Sequence, residues 1–159
     1  MAIRNRQQFL NQLRQELKKA VNLNNLSDST LVNTGNAYVR AIKERISKGI
    51  SPIGRGGRFP AYKNPKRYPG TKKPARPVNL KLTGAFLNDL IFRIVRGTKP
   101  RIVIFFRTNL SNLKESGHRE GVNSQPKRPI LPQGNEDFTP GIHKDADREL
   151  QKGLDRDLA

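Results

Sequence analysis

The sequence predicts an α+β protein with a small antiparallel β-sheet, and three observations carry that expectation. Residues 28–48 and 140–158 place apolar side chains at the three-and-four spacing of a helical face. Residues 91–107 hold two runs rich in β-branched and aromatic residues, separated by Gly97, Thr98, Lys99 and Pro100. Between these regions, residues 49–77 form a long Pro/Gly-rich basic stretch with no acidic residue. A chain of 159 residues suits one domain, 1–159, with a modest core and a long insert.

The elements follow in order. From Ile3 to Val21, Phe9, Leu10, Leu13, Leu17, Ala20 and Val21 share one helical face, while Arg6, Arg14, Lys18 and Lys19 lie elsewhere, so an amphipathic helix is expected. NLNNLSDS interrupts that pattern, and Ser27 or Asp28 can accept the free amide hydrogens of a second helix. This helix runs to about Lys48 with Leu31, Tyr38, Ala41, Ile42 and Ile46 inward, and Gly49 ends it. Two helices joined by a short turn should pack on each other or together on a sheet.

After the insert, Thr83 can cap a single turn bearing Phe86, Leu87 and Leu90. Ile91–Arg96 and Arg101–Arg107 read as a hairpin with one mainly apolar face and one mixed face. The polar stretch 111–125 carries about one helical turn, near Ser111 to Ser116. Prolines at 126, 129 and 132 confine Arg128–Leu131 to a sheet edge or an extended arm. Thr139 and Pro140 then start an acidic C-terminal helix, in the segment 136–159, with Ile142, Ala146, Leu150, Leu154 and Leu158 on one side and Gly153 weakening it.

Charge narrows the function. Lys and Arg total 31 against 13 acidic residues, a net charge of +18 that makes an anionic partner the default inference. Residues 1–48 carry +6, the insert +8 and residues 78–135 +7, whereas residues 136–159 carry −3. A cationic body with an acidic end suggests subunits that pair head to tail, although a solvated acidic helix is the simpler explanation of the last segment. The N-terminus lacks a signal-peptide core and no run of about 18 apolar residues occurs, so a soluble protein made in a cytoplasm and outside any membrane is expected. The glycosylation-type triplets at Asn25 and Asn109 are accordingly chance matches.

Nothing in the chain argues for catalysis. There is no Cys, no carboxylate pair in an apolar setting, and only two histidines, His118 and His143, both expected at the surface. Gly54, Gly56 and Gly57 have neither phosphate-loop nor dinucleotide spacing. No enzyme activity, cofactor or metal is expected. The insert carries the functional signal: it cannot bury enough apolar surface to offset its ordering entropy, so it should be ordered by a partner. Its candidate contacts are Arg55, Arg58, Lys63, Lys66, Arg67, Lys72, Lys73 and Arg76. With Phe59, Tyr62 and Tyr68 interleaved, they could grip a nucleic-acid backbone and stack on bases, as basic arms of ribosomal or nucleoid proteins do. An SH3-type ligand finds no convincing core around Pro74 and Pro77, while an arm laid across neighbouring subunits remains open.

SPIGRGGRFPAY (51–62), LKLTGAFLNDLIF (80–92) and PKRPILP (126–132), in this order, resemble the tail-completion and neck proteins of tailed bacteriophages, the virion morphogenesis and minor tail protein family. Leu80, Thr83, Gly84 and Leu87 approximate the family's Leu-x-x-Thr-Gly-x-Leu turn, and Lys127, Arg128, Pro129, Ile130 and Leu131 its Arg-Pro segment, with Ile130 where an aromatic is usual. The resemblance implies a structural subunit with helices on one face of the sheet, no catalytic residues, and an Arg-Pro segment that keeps a cation at the rim. It further implies a ring of copies, hexameric by the symmetry of the particle, at the head-to-tail joint of the virion. Its partners would be connector and tail subunits, with possible contact to packaged DNA.

Overall fold

The computed structural model describes residues 26–61, 84–97, 100–121 and 126–157. In chain order it contains α1 (Asp28–Ser47), the single turn α2 (Ala85–Asn88), β1 (Leu90–Val95), β2 (Arg101–Phe106), α3 (Asn109–Glu120) and α4 (Pro140–Asp157). The chain is α+β: helices accompany a two-stranded antiparallel sheet. The helix expected over 3–21 lies outside the described residues.

Ser27 starts α1 as expected. Its backbone is extended, with φ −61° and ψ 149°, and its hydroxyl accepts from the Thr30 amide at 3.2 Å. Gly49 follows the helix with φ 73°, a left-handed conformation that glycine adopts without a Cβ penalty. Leu31, Ala41, Ile42 and Ile46 are buried. Tyr38 is half-buried, because it stands at the edge of this stripe beside Phe138.

The hairpin pairs Leu90 with Phe106, Phe92 with Ile104 and Ile94 with Ile102, so these six side chains share one face. That face meets α1, where Gly35 lets the Phe92 ring come so close that a Cβ there would overlap it. On the opposite face Ile91 pairs with Phe105, Arg93 with Val103 and Val95 with Arg101, and the Arg93 guanidinium lies 5.6 Å from the Phe105 ring centre. Beyond the strand end, Arg96 reaches back to the Leu26 carbonyl and the Asp28 carboxylate at the start of α1.

α4 runs antiparallel along α1. At one end, Asp157 accepts hydrogen bonds from the Ser27 amide at 3.1 Å and the Thr30 hydroxyl at 2.7 Å, placing a carboxylate at the positive end of α1. Hydrogen bonds from Thr30 and Ser27 hold its pKa at about 2. Gly153, expected to weaken α4, is instead a close packing point against α1, since a Cβ there would overlap the Thr30 side chain.

α3 corrects the expectation of one turn near Ser111 to Ser116, for it extends over three turns. Its ends are well specified: the Thr108 hydroxyl accepts from the Ser111 amide at 3.2 Å, and Gly121 closes it with φ 74°. The apolar periodicity is missing because its buried side chains are the polar Ser111 and Glu115, whereas Leu110 and Leu113 point outward.

Candidate interaction surface at the root of the basic segment

The first part of the basic insert is folded against its own chain, which corrects the expectation that 49–77 as a whole lacks packing. Ile50 bridges Arg58, the Ser51 amide donates to the Gly57 carbonyl at 2.8 Å and the Phe59 amide to the Gly49 carbonyl at 2.8 Å. Gly54 and Gly56, with φ 61° and 69°, make this tight reversal possible. The loop is then tied to the approach to α4: Ile53 bridges Phe138, and the Thr139 amide donates to the Pro52 carbonyl at 2.9 Å. Pro52 and Phe59 are buried, so two apolar residues suffice to anchor a segment that composition alone marks as unanchored. Arg55 and Arg58 remain exposed on it.

Arg128 clasps the end of this loop. Its side chain is 1% exposed; Nε and Nη2 donate to the Pro60 carbonyl at 3.2 and 3.0 Å, and Nη2 to the Ala61 carbonyl at 3.1 Å. The expectation of a cation kept at the rim is therefore wrong. Backbone carbonyls aligned at 60 and 61 solvate the guanidinium where water cannot. The Arg128 amide also donates to the His118 carbonyl of α3 at 2.6 Å.

The rest of that segment is held by a buried carboxylate. Glu115 Oε1 accepts from the amides of Ile130 and Leu131 at 3.2 and 3.3 Å and from Arg119 at 3.4 Å. Arg119 also donates to Glu136 at 2.8 Å and to the Leu131 carbonyl. Residues 126–130 consequently follow α3 without joining the sheet, contrary to the sheet-edge alternative. Pro129 is half-buried between Arg128 and the fully buried Ile130.

The other flank of the insert re-enters at Gly84, which takes the N-cap position of α2 with φ 80° and no side-chain cap. The cap expected of Thr83 thus falls one residue later, on a backbone geometry that only glycine adopts readily. Phe86 and Leu87 are buried, and the Phe86 ring stacks on Phe106 at 4.6 Å. Phe59, Phe86, Leu87, Leu90 and Ile130 belong to one core cluster with Ile42, Ile46, Phe106 and Ile142. The described parts of all three segments that carry the family resemblance converge there, through Phe59, Phe86, Leu87, Leu90 and Ile130.

Around Gly84, an open cleft of about 650 Å³ is lined by Asn36, Val39, Arg40, Lys43, Glu44 and Ser47 of α1 and by Leu87 and Asn88, with the Glu44 carboxylate paired to Lys48. Burial lowers the Lys43 pKa. Arg40 and Lys43 were not singled out from sequence, since they are ordinary polar-face residues of a helix until the fold sets them beside Gly84. Lys63, Lys66, Arg67, Lys72, Lys73, Arg76, Leu80 and Thr83 lie outside the described residues.

Neither histidine is a free surface group. His118 lies against Phe86, and burial together with the nearby Arg128 charge lowers its pKa. His143 bridges the Tyr38 hydroxyl at 3.1 Å and the Asp137 carboxylate at 3.0 Å. Among the described residues no group of His, Asp and Glu side chains is arranged to hold a metal ion, and no helix is long and apolar enough to cross a membrane. No family model, curated protein or solved structure matches the chain.

Proposed function

We propose that this protein is a non-catalytic structural subunit of the head-to-tail joint of a tailed-phage virion. In this reading, copies form a ring between the head connector and the tail. The observation that carries the proposal is the placement of the insert's flanks. Residue 61 is clasped by a buried arginine and residue 84 opens a packed helical turn, so residues 62–83 leave from and return to fixed points of one core. Those 22 residues contain Lys63, Lys66, Arg67, Lys72, Lys73, Arg76 and Lys81 and no carboxylate. Arg40 and Lys43 beside Gly84, and Arg55 and Arg58 on the anchored loop, extend the positive charge across the flanks. The proposed partner of this surface is an electronegative connector or tail subunit. The resemblance of 51–62, 80–92 and 126–132 to neck and tail-completion proteins supplies the particle.

Head-to-tail pairing through the acidic end has less support. α4 buries its apolar side on its own α1, and Asp157, Glu136, Asp137, Glu149 and Asp145 all have partners within the chain.

Replacing Lys63, Lys66, Arg67, Lys72, Lys73 and Arg76 together by Gln, and leaving 49–61 intact, should preserve the melting temperature and abolish tail joining. Normal particle yield from that variant would refute the proposal. Mass photometry of assembly intermediates should show six copies of the 18.0 kDa chain, 108 kDa in all. The Tyr62 and Tyr68 rings among these cations favour a second reading, a nucleic-acid-binding protein. Seven phosphate contacts would weaken DNA affinity by about four orders of magnitude between 50 and 200 mM salt. Tight sequence-independent binding that persists at physiological salt would favour this second reading over the first.

A further inference from the structure

An apolar cleft of about 350 Å³ lies between β2 and α4 above the face of α1, lined mainly by Leu31, Tyr38, Ile102, Ile104, Phe138 and Leu150. Among the described residues of its wall the only carboxylate is Asp147, exposed on α4, and none is Lys or Arg, in a chain where basic residues outnumber acidic ones 31 to 13. Unlike Asp145 and Glu149, which pair with Arg148 and Lys152, Asp147 makes no ion pair among the described residues. At the polar end His143 joins the Tyr38 hydroxyl to the Asp137 carboxylate, which adds a second negative charge. The result is an apolar hollow with an anionic rim.

α3 carries the complementary shape. Leu110 and Leu113, 62% and 71% exposed, are the most exposed large apolar side chains among the described residues. With Gly117 they fall at three-and-four spacing on one outward stripe, and Gly117 adds no bulk there, since a Cβ would meet open space. Helical spacing sets the exposed Lys114 beside Leu110. The stripe is firmly backed, because Glu115 fixes the inner side of α3 to the amides of Ile130 and Leu131.

We propose that the Leu110–Leu113 stripe of one copy docks in the β2–α4 cleft of a second copy, with Lys114 against Asp147. A second copy is the occupant because both halves of the contact, apolar knob with a cation and apolar hollow with a carboxylate, stand on the same chain. The cleft has room for a neighbour's side chains and is too small for a whole helix, about 10–12 Å across with its side chains. Knob and hollow are different surfaces of the subunit, so the contact is head to tail and propagates from copy to copy. Its closure into a ring rests on the reading of the protein as a joint subunit; the contact itself does not.

The chain has no Cys, so engineered thiols report the contact without background. Full-length Leu113→Cys and Leu150→Cys proteins are mixed in equal amounts and oxidised, and a disulfide forms only where the two Cα atoms come within about 7 Å. The mixed 113–150 disulfide should form several-fold above the statistical yield. Adding Lys114→Glu to the first protein should suppress it, and Asp147→Lys in the second should restore it. Leu113→Cys mixed with Val103→Cys, on the outer sheet face, should give the statistical yield. A merely statistical 113–150 yield would overturn the proposal. So would dominance of the 113–113 disulfide, which would assign the stripe to a symmetric pair through α3, or enrichment of 113–103, which would place it on the outer sheet face. Enrichment indifferent to Lys114→Glu would overturn the pairing with Asp147. The link is read on purified protein, whereas the joint reading is tested by tail joining of the insert variant. A protein that cross-links at 113–150 and never enters a virion keeps the contact and loses the joint, and the reverse result keeps the joint and loses the contact.

Discussion

Replacing Arg128 tests the central structural claim, that this residue fastens the loop 50–61 and is no contact for a partner. Arg128→Met keeps the volume and removes the donors, leaving the Pro60 and Ala61 carbonyls without the guanidinium that now binds them at 3.0–3.2 Å. Two terms compete. Removing a buried charge recovers desolvation energy, whereas a buried acceptor left unpaired costs about 1–3 kcal/mol. Residue 60 is exposed and residue 61 half-exposed, so both carbonyls can turn partly to water, which favours the lower end for each. The loop they anchor, however, brings Phe59 into the core, and its partial release adds about 1–2 kcal/mol of lost burial. The sum is about 3 kcal/mol, which for a chain of this size lowers Tm by about 6–12 °C. Differential scanning calorimetry measures it, with exposed Lys127→Ala as a neutral control. An Arg128→Met protein that melts within 2 °C of wild type (about 0.5–1 kcal/mol) would refute the clasp.

Three further outcomes follow from the packing and the titrating groups. Gly153→Ala, which in an exposed helix would stabilise by about 1 kcal/mol, should here lower Tm, because the new methyl overlaps Thr30; an unchanged or raised Tm in thermal melts would disprove that close approach. Asp157 has a folded pKa of about 2, below its unfolded value, so its contribution is complete above about pH 4 and disappears as pH falls toward 2. Asp157→Asn should flatten that part of the urea-stability profile, and an identical acid limb would count against the cap. His118 has a lowered pKa, so it stays neutral in the fold while the unfolded chain takes up a proton first. Stability should therefore decline as pH falls below about 6.5, and His118→Gln should remove that slope in pH-dependent chemical denaturation.

Most of the secondary structure was legible because it rests on local physics. Ser27, Gly49 and Pro140 mark helix ends through backbone geometry and hydrogen bonding within a few residues, whereas the Thr139 hydroxyl, expected to cap α4, is buried without a hydrogen-bond partner; the runs around 90–106 show their β preference in composition. α3 escaped because its inward side is polar: Ser111 and Glu115 are legible as core only once the amides of Ile130 and Leu131 are known to meet Glu115. The same limit applied to the basic insert. Counting cations, prolines and glycines sees no apolar complement, yet Pro52 and Phe59, placed by two left-handed glycines, anchor its first part, 49–61.

By itself, then, the sequence determined the element types, the strong positive charge and the concentration of that charge in one segment. Each of these is a sum over residues or a short-range pattern. Only the tertiary structure decided what the charges do. It buried Arg128, set Arg40 and Lys43 beside Gly84, drew Asp157 to the start of α1 and turned Gly153 into a contact. The worth of a charged or flexible residue depends on desolvation and on partners distant in the chain, and no local pattern encodes either.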